Sequence, residues 1–143
     1  MWKALVAQFY PDHTSNPGTT DRDIARAETT LGVALPPDLR ELLIESNGIA
    51  DDGPGLGLIW PLDDIVSRNL AMRTDFRDTF MPFEPLLFFG DAGNGDQFAF
   101  AVISGVATGR GLFSWNHEDD SRCWVAPDLR HYLEWWSDGR ITT

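Results

Sequence analysis

The sequence has 143 residues, 43% of them apolar, and a single cysteine, which suits one domain with one core and excludes an intramolecular disulfide or a cysteine-rich zinc site. Its 22 acidic and 11 basic residues give a formal net charge of −11, which disfavours binding to nucleic acid phosphates. The same charge favours encounter with a basic protein partner, although it also has the simpler use of keeping a protein soluble.

The N-terminus, MWKALVAQFY, has neither the basic start nor the small-residue cleavage site of a signal peptide. No apolar run reaches the roughly 18 residues of a membrane span. We therefore expect a cytoplasmic protein that makes no contact with a membrane.

Three helices are predicted in the first third of the chain. The first is marked by apolar residues at helical spacing, namely Trp2, Leu5, Val6 and Phe9. Thr20 and Asp23 have capping-box spacing at the start of a second helix that ends at Gly32. Pro37 suits the first turn of a third helix, and we expect Asn47-Gly48 to end it with left-handed backbone.

The rest of the chain predicts mainly strands. A short strand over residues 56–60 precedes a helix that begins near Pro61 and has an apolar pattern through Leu70. An irregular segment over 73–85 follows. Further strands are predicted at 86–89, 97–102, 112–115 and 123–125, and a C-terminal helix begins near Pro127.

These elements together predict the fold class. Strands joined by short turns favour antiparallel pairing, and helices gathered at the two ends of the sequence indicate an α+β fold. We expect one domain over residues 1–143, with a mainly antiparallel sheet, helices at its N-terminal end and a closing C-terminal helix.

Several segments resemble the SUKH superfamily. IARAETTLGVALPPDLRELLIESNGI, residues 24–49, is similar to the family's opening, in which an acidic helix, LG, LP, a leucine-rich helix and NG follow one another. Residues 88–100, FFGDAGNGDQFAF, resemble its central G-D-x-x-G-D region, and PLDDI at 61–65 resembles its helix after the first strand. One departure is Leu39, where the family often has an aromatic residue.

The resemblance implies a single α+β domain that binds other proteins. Many bacterial members are immunity proteins that block toxins, often nucleases, and fungal relatives regulate cell-wall assembly. We therefore expect an immunity protein that occludes a basic toxin domain, or alternatively a regulatory adaptor with no toxin partner.

The turn over residues 90–96 is one candidate contact for that partner. It places Asp91, Asn94 and Asp96 around Gly93 and Gly95. Their oxygens have two interpretations, a site for a hard cation such as Ca²⁺ or a turn held by side-chain to backbone hydrogen bonds. The spacing lacks the ligand order of a calcium loop, so we predict the hydrogen-bonded turn and neither a metal nor a cofactor.

The loop over residues 116–122 is the second candidate contact. Glu118, Asp119 and Asp120 stand in a row beside His117, and a basic surface would relieve the repulsion among the three carboxylates. Trp115 could supply an exposed aromatic anchor for that contact. The alternative is a solvated tip beside a tryptophan of the core.

Catalysis has little support in the sequence. The candidate groups are Cys123 and three histidines, His13, His117 and His131, and Cys123 lies in a predicted strand where it should pack as a small apolar residue. We find none of the common phosphate-binding, metalloprotease or serine-hydrolase motifs. We predict that the protein is not an enzyme, with a small hydrolase using His117 and nearby acids as the competing hypothesis.

Overall fold

The structure, a computed structural model, describes residues 1–51 and 56–143, where it contains five helices and seven strands. The helices are α1 (Trp2–Phe9), α2 (Asp21–Leu31), α3 (Pro37–Glu45), α4 (Leu62–Asp75) and α5 (Leu129–Ser137). The strands are β1 (Thr14–Ser15), β2 (Ile49–Ala50), β3 (Gly57–Ile59), β4 (Leu86–Asp91), β5 (Gln97–Ile103), β6 (Val106–Trp115) and β7 (Arg122–Ala126).

The strands form two antiparallel sheets in chain order. One contains β1, β2 and β3, and the larger contains β4, β5, β6 and β7. The sheets meet where the Trp60 N–H donates to the Phe89 carbonyl at 2.8 Å. The predicted single α+β domain with antiparallel strands and a closing C-terminal helix is confirmed.

The helix ends follow local sequence signals. Thr20 Oγ1 accepts a hydrogen bond from the Asp23 N–H at 3.2 Å, and Gly32 ends α2 with a φ of 69°. Gly48 is left-handed as predicted, with a φ of 103°, but the same prediction is wrong for Asn47, which lacks a positive φ. Its side-chain oxygen instead accepts from the Leu62 N–H at the start of α4, at 2.8 Å.

Strand β6 is longer than the predicted 112–115. It begins at Val106 and passes through two glycines with positive φ, Gly109 at 69° and Gly111 at 79°. These glycines interrupt the apolar alternation over residues 106–111. The sequence pattern therefore does not predict that part of the strand. Strand β1 has only two residues, both polar, so no apolar alternation predicts it.

Helix α4 turns a polar residue toward the sheet. Asn69 is 1% exposed, whereas Leu70, part of the predicted apolar pattern, is 37% exposed. The Asn69 side chain donates to the Phe88 carbonyl at 2.9 Å and accepts from the Phe88 N–H at 2.9 Å. A buried amide therefore attaches α4 to the backbone of β4.

The segment predicted as irregular over 73–85 begins later, because α4 continues through Asp75. Residues 76–85 lack regular secondary structure but pack on the core through aromatic rings. Phe80 and Phe83 contact the Trp115 ring edge-on, with centroid distances of 5.6 and 5.4 Å. Phe83 also contacts Phe88 at 5.4 Å. This packing brings the segment beside the end of β6.

No helix in the described ranges is both long and apolar enough to cross a membrane.

Candidate functional site

Two loops meet at one end of the four-stranded sheet. Gln97 at the start of β5 pairs with Trp115 at the end of β6, and Trp115 pairs with Arg122 at the start of β7. The β4–β5 turn and the β6–β7 loop are therefore neighbours. We call residues 91–96 and 116–121 together the loop surface, and it contains every predicted contact residue except Trp115.

The buried side chain of Asp96 connects the two loops. Its side chain is 6% exposed, and its Oδ1 accepts from the His117 N–H at 3.1 Å and lies 2.7 Å from His117 Nδ1. Its own N–H donates to Asn94 Oδ1 at 3.0 Å. Gly95 has a φ of 98°, and a Cβ there would lie 2.9 Å from the His117 ring. The predicted hydrogen-bonded turn is confirmed at Asn94 and Asp96.

Asp120 fixes the other side of the loop surface. It is 8% exposed with a φ of 62°. Its Oδ1 accepts from the Trp115 indole at 2.7 Å and from Arg122 at 3.1 Å, and its Oδ2 accepts from the Met81 N–H at 3.0 Å. Arg122 in turn donates to the carbonyls of Met81 and Pro82 at 2.9 and 3.0 Å. The loop is thus attached to the 76–85 segment.

Hydrogen bonds lower the pKa of both aspartates of this loop. Burial by itself raises the pKa of Asp120, but the donors on Met81, Trp115 and Arg122 outweigh it and lower that pKa below its ordinary value. The hydroxyl and N–H of Ser121, at 2.6 and 2.9 Å, lower the pKa of Asp119. Asp119 differs from Asp120 in being exposed.

The expectation of an exposed aromatic anchor at Trp115 is wrong. Its side chain is 3% exposed, because the ring packs among Phe80, Phe83 and Phe88 and its N–H is satisfied by Asp120. The alternative, a core tryptophan under a solvated loop, describes the structure. The contact role of the loop itself stays a prediction.

The three adjacent acids do not all face solvent. Asp120 turns inward to Arg122, and Glu118 and Asp119 are exposed, as is His117. The backbone N–H of Glu118 donates to Asn116 Oδ1 at 2.8 Å. In the described part of the chain the Glu118 carboxylate has no hydrogen bond or ion pair. The outward charge of this loop is therefore that of Glu118 and Asp119.

Asp91 is already engaged within the molecule. Its Oδ2 accepts from the Trp60 indole at 2.8 Å and lies 3.5 Å from the Arg68 guanidinium. Arg68 also lies over the Trp60 ring, 4.4 Å from the centroid. These contacts hold the Asp91 side chain in place at the end of β4. Because the carboxylate already contacts Trp60 and Arg68, only part of its charge is available to a partner protein.

Sequence reasoning missed the exposed face of β7. Cys123, predicted to pack inside, is exposed, and Trp124 is 54% exposed. Strand β7 is the terminal strand of its sheet, and its pairing with β6 shifts register between Leu112 and Phe113. The shift lies beyond Trp124, which still pairs with Phe113, as Cys123 does with Ser114. The two side chains therefore point to opposite faces of the sheet, and both are exposed on this terminal strand.

The three histidines each have a defined partner. His13 Nδ1 lies 2.7 Å from the Tyr10 carbonyl oxygen, and His131 Nδ1 lies 2.7 Å from Asp128 Oδ1. His117 is paired with Asp96 as described above. Across residues 1–51 and 56–143 no serine, threonine or cysteine side chain hydrogen-bonds to a histidine ring, and no group of three or more His, Cys, Asp or Glu residues could hold a metal ion.

The chain matches a known protein family over most of its length. Residues 21–133 match the family model SUKH_6, described as SMI1-KNR4 cell-wall. The matched range spans α2 through most of α5 and includes the whole loop surface. A search of the curated proteins gave no match.

Proposed function

The chain belongs to the SUKH family, which includes immunity proteins and cell-wall regulators, and we propose that it is a protein-binding module rather than an enzyme. Members of this family are generally non-catalytic. We propose specifically an immunity protein of the cytoplasm that neutralises a basic toxin domain by covering it with the loop surface.

The observation that carries this proposal is the construction of the loop surface. Buried carboxylates at Asp96 and Asp120 fix the positions of the two loops. Glu118 and Asp119 of the β6–β7 loop are exposed to solvent. A surface that is ordered before binding loses less conformational entropy when a partner arrives. The loops are therefore suited to contact a basic surface without a change in conformation.

The charge of the whole chain supports the same partner class. A nuclease needs positive charge to hold its phosphate substrate, and an acidic inhibitor with a net charge of −11 is complementary to that surface. Complementary charge accelerates encounter more than it strengthens the final complex. Occupation of the basic surface would exclude the nucleic acid.

A regulatory adaptor is the second candidate function. The observation in its favour is the description of the matching family model, which names the cell wall. A toxin-like gene beside this one would favour the immunity protein, and co-expression of the two gene products would then separate the two candidates. An immunity protein restores growth of the host cell, and an adaptor leaves the toxicity unchanged.

Exchanging the outward charge of the loop surface should abolish most of the partner binding. We expect the double variant Glu118→Lys, Asp119→Asn to weaken binding of the protein captured from the source cell by roughly tenfold to a hundredfold, since like charges would replace complementary ones. Asparagine at position 119 keeps an oxygen for Ser121. Titration of the purified pair measures the loss.

The matched control changes the net charge by the same amount on α2. Asp21 and Asp23 are exposed, and Asp21→Lys with Asp23→Asn should bind with little loss. Equal weakening in the two double variants would mean that the partner senses only net charge. Full binding by the loop variant would reject the loop surface.

The competing hydrolase hypothesis has its own test at His117. If the Asp96–His117 pair served catalysis, His117→Ala would remove turnover of a substrate while the fold remained intact. We expect no turnover by the unaltered protein against ester, phosphodiester and peptide substrates, and binding of the partner without consumption of it.

A further inference from the structure

A concave surface separate from the loop surface lies where β7 leads into α5. It has a volume of about 600 Å³ and is formed by the start of α3, the β6 segment 108–111, and the junction of β7 with α5. Trp124, Asp38, Asp128 and Arg110 are among its lining residues. We call it the Trp124 groove.

Trp124 is unusual among the tryptophans of this chain. Its side chain is 54% exposed, whereas Trp2, Trp60 and Trp115 are at most 3% exposed. One side of its ring is supported by Trp135, with a centroid distance of 6.5 Å. Large aromatic side chains that remain exposed on a rigid strand are typical contact points for another molecule.

Two carboxylates line the same groove as this ring. Asp38 forms no hydrogen bond or ion pair with its side chain in the described ranges, and burial together with the charges of Glu41 and Asp128 raises its pKa. Asp128 uses Oδ1 to accept from the His131 N–H at 2.8 Å. Arg110 also lines the groove, yet within the described residues it pairs with neither carboxylate. His131 Nδ1 also lies 2.7 Å from Asp128 Oδ1. The lining of the groove thus contains two carboxylates and one guanidinium.

Elsewhere in the chain, an aromatic ring and a carboxylate together contact an arginine side chain. Three arginines each lie over an aromatic ring and pair with a carboxylate: Arg68 with Trp60 and Asp91, Arg122 with Phe83 and Asp120, and Arg140 with Trp135 and Asp138. The guanidinium carbons lie 4.4, 5.0 and 5.4 Å from the ring centroids. The Trp124 groove has the ring and the carboxylates of this arrangement, but no arginine of the described residues lies over the Trp124 ring.

We propose that the Trp124 groove binds an arginine side chain of a basic partner protein, with the guanidinium over the Trp124 ring and within reach of Asp38 and Asp128. A planar guanidinium both stacks on an indole and donates paired hydrogen bonds to carboxylates, which an ammonium group does not do. The inference rests on the proposed function, because it takes the partner to be a basic protein. Binding of arginine itself can be measured without that partner.

The probe is N-acetyl-arginine amide, titrated into the isotopically labelled chain and followed by NMR at the Trp124 indole N–H. The control ligand is the citrulline analogue, which has the same shape without the charge. We expect saturable shifts with a Kd on the order of millimolar for the arginine compound and at least roughly tenfold weaker binding of citrulline.

Variants assign the signals to the groove. Asp38→Asn should weaken arginine binding severalfold, and Trp124→Ala should remove the response of the Gly109 and Gly111 amides. Arg110→Gln should tighten binding, because it removes a competing positive charge. Equal shifts with citrulline, or no saturable shift at Trp124 below about 50 mM arginine compound, would overturn the proposal.

The two proposals can fail separately. If arginine does not bind the groove and capture of the partner still depends on Glu118 and Asp119, the groove proposal alone is wrong. If arginine binds and capture is insensitive to both loop residues, the proposed loop contact alone is wrong. Arginine binding with partner affinity unchanged in Trp124→Ala would show that the partner does not use the groove.

Discussion

Asp120→Asn is expected to lower the free energy of unfolding by about 3 kcal/mol. The carboxylate accepts from the Trp115 indole, the Met81 N–H and Arg122, and an amide has one oxygen to offer in place of two. Asparagine tolerates the left-handed backbone at this position, where φ is 62°, so the loss reports the charge and its hydrogen bonds. Denaturant unfolding at neutral pH measures it.

Asp119→Asn is the matched control, because Asp119 is exposed and its substitution should leave the denaturant midpoint nearly unchanged. The effect at Asp120 should also depend on pH. The pKa of Asp120 in the folded chain lies below its ordinary value of 3.8, so the carboxylate contributes stability above that value and loses it as the pH falls through the lowered pKa. A difference between wild type and Asp120→Asn that persists unchanged in strong acid would contradict this explanation.

Asn69→Leu is expected to cost a similar amount, about 3 kcal/mol. The substitution keeps roughly the same volume, but it leaves the N–H and the carbonyl of Phe88 without the partners they have at 2.9 Å each. Both groups lie in a residue that is 0% exposed, so water cannot replace the amide. The cost of two unpaired buried polar groups should exceed the gain from an added apolar side chain.

Ser67→Leu is the control for this helix, since Ser67 is exposed on α4 and should change stability by less than about 0.5 kcal/mol. Unfolding in denaturant compares the two variants. An Asn69→Leu protein as stable as the wild type would show that the link between α4 and β4 contributes little to stability.

The helices and the order of the strands could be predicted from sequence because their signals are local. The cap at Thr20 and the stop at Gly32 each depend on residues within one turn of the same helix. The turn before β5 is equally local, since its glycines and acids stand together in the chain. These features determined the α+β assignment.

The orientation of the candidate contact residues could not be predicted in the same way. Trp115 and Trp124 lie in neighbouring strands beside the acidic loop, and their register places them on the same face of the sheet. Phe80 and Phe83 cover Trp115 from a distant segment of the chain, whereas Trp124 on the terminal strand stays exposed. Asp120 looks like one of three equivalent acids in the sequence. Its inward turn depends on Met81, 39 residues away.

The measurement that tests the loop surface most directly is the rate of association with the captured partner as ionic strength rises from about 0.05 to 0.5 M. We expect the wild-type rate to fall on the order of tenfold. Glu118→Lys with Asp119→Asn should associate more slowly and with less sensitivity to salt, and Asp21→Lys with Asp23→Asn should keep most of the wild-type slope. Identical salt dependence in the wild type and the loop variant would contradict a role of the loop surface in binding.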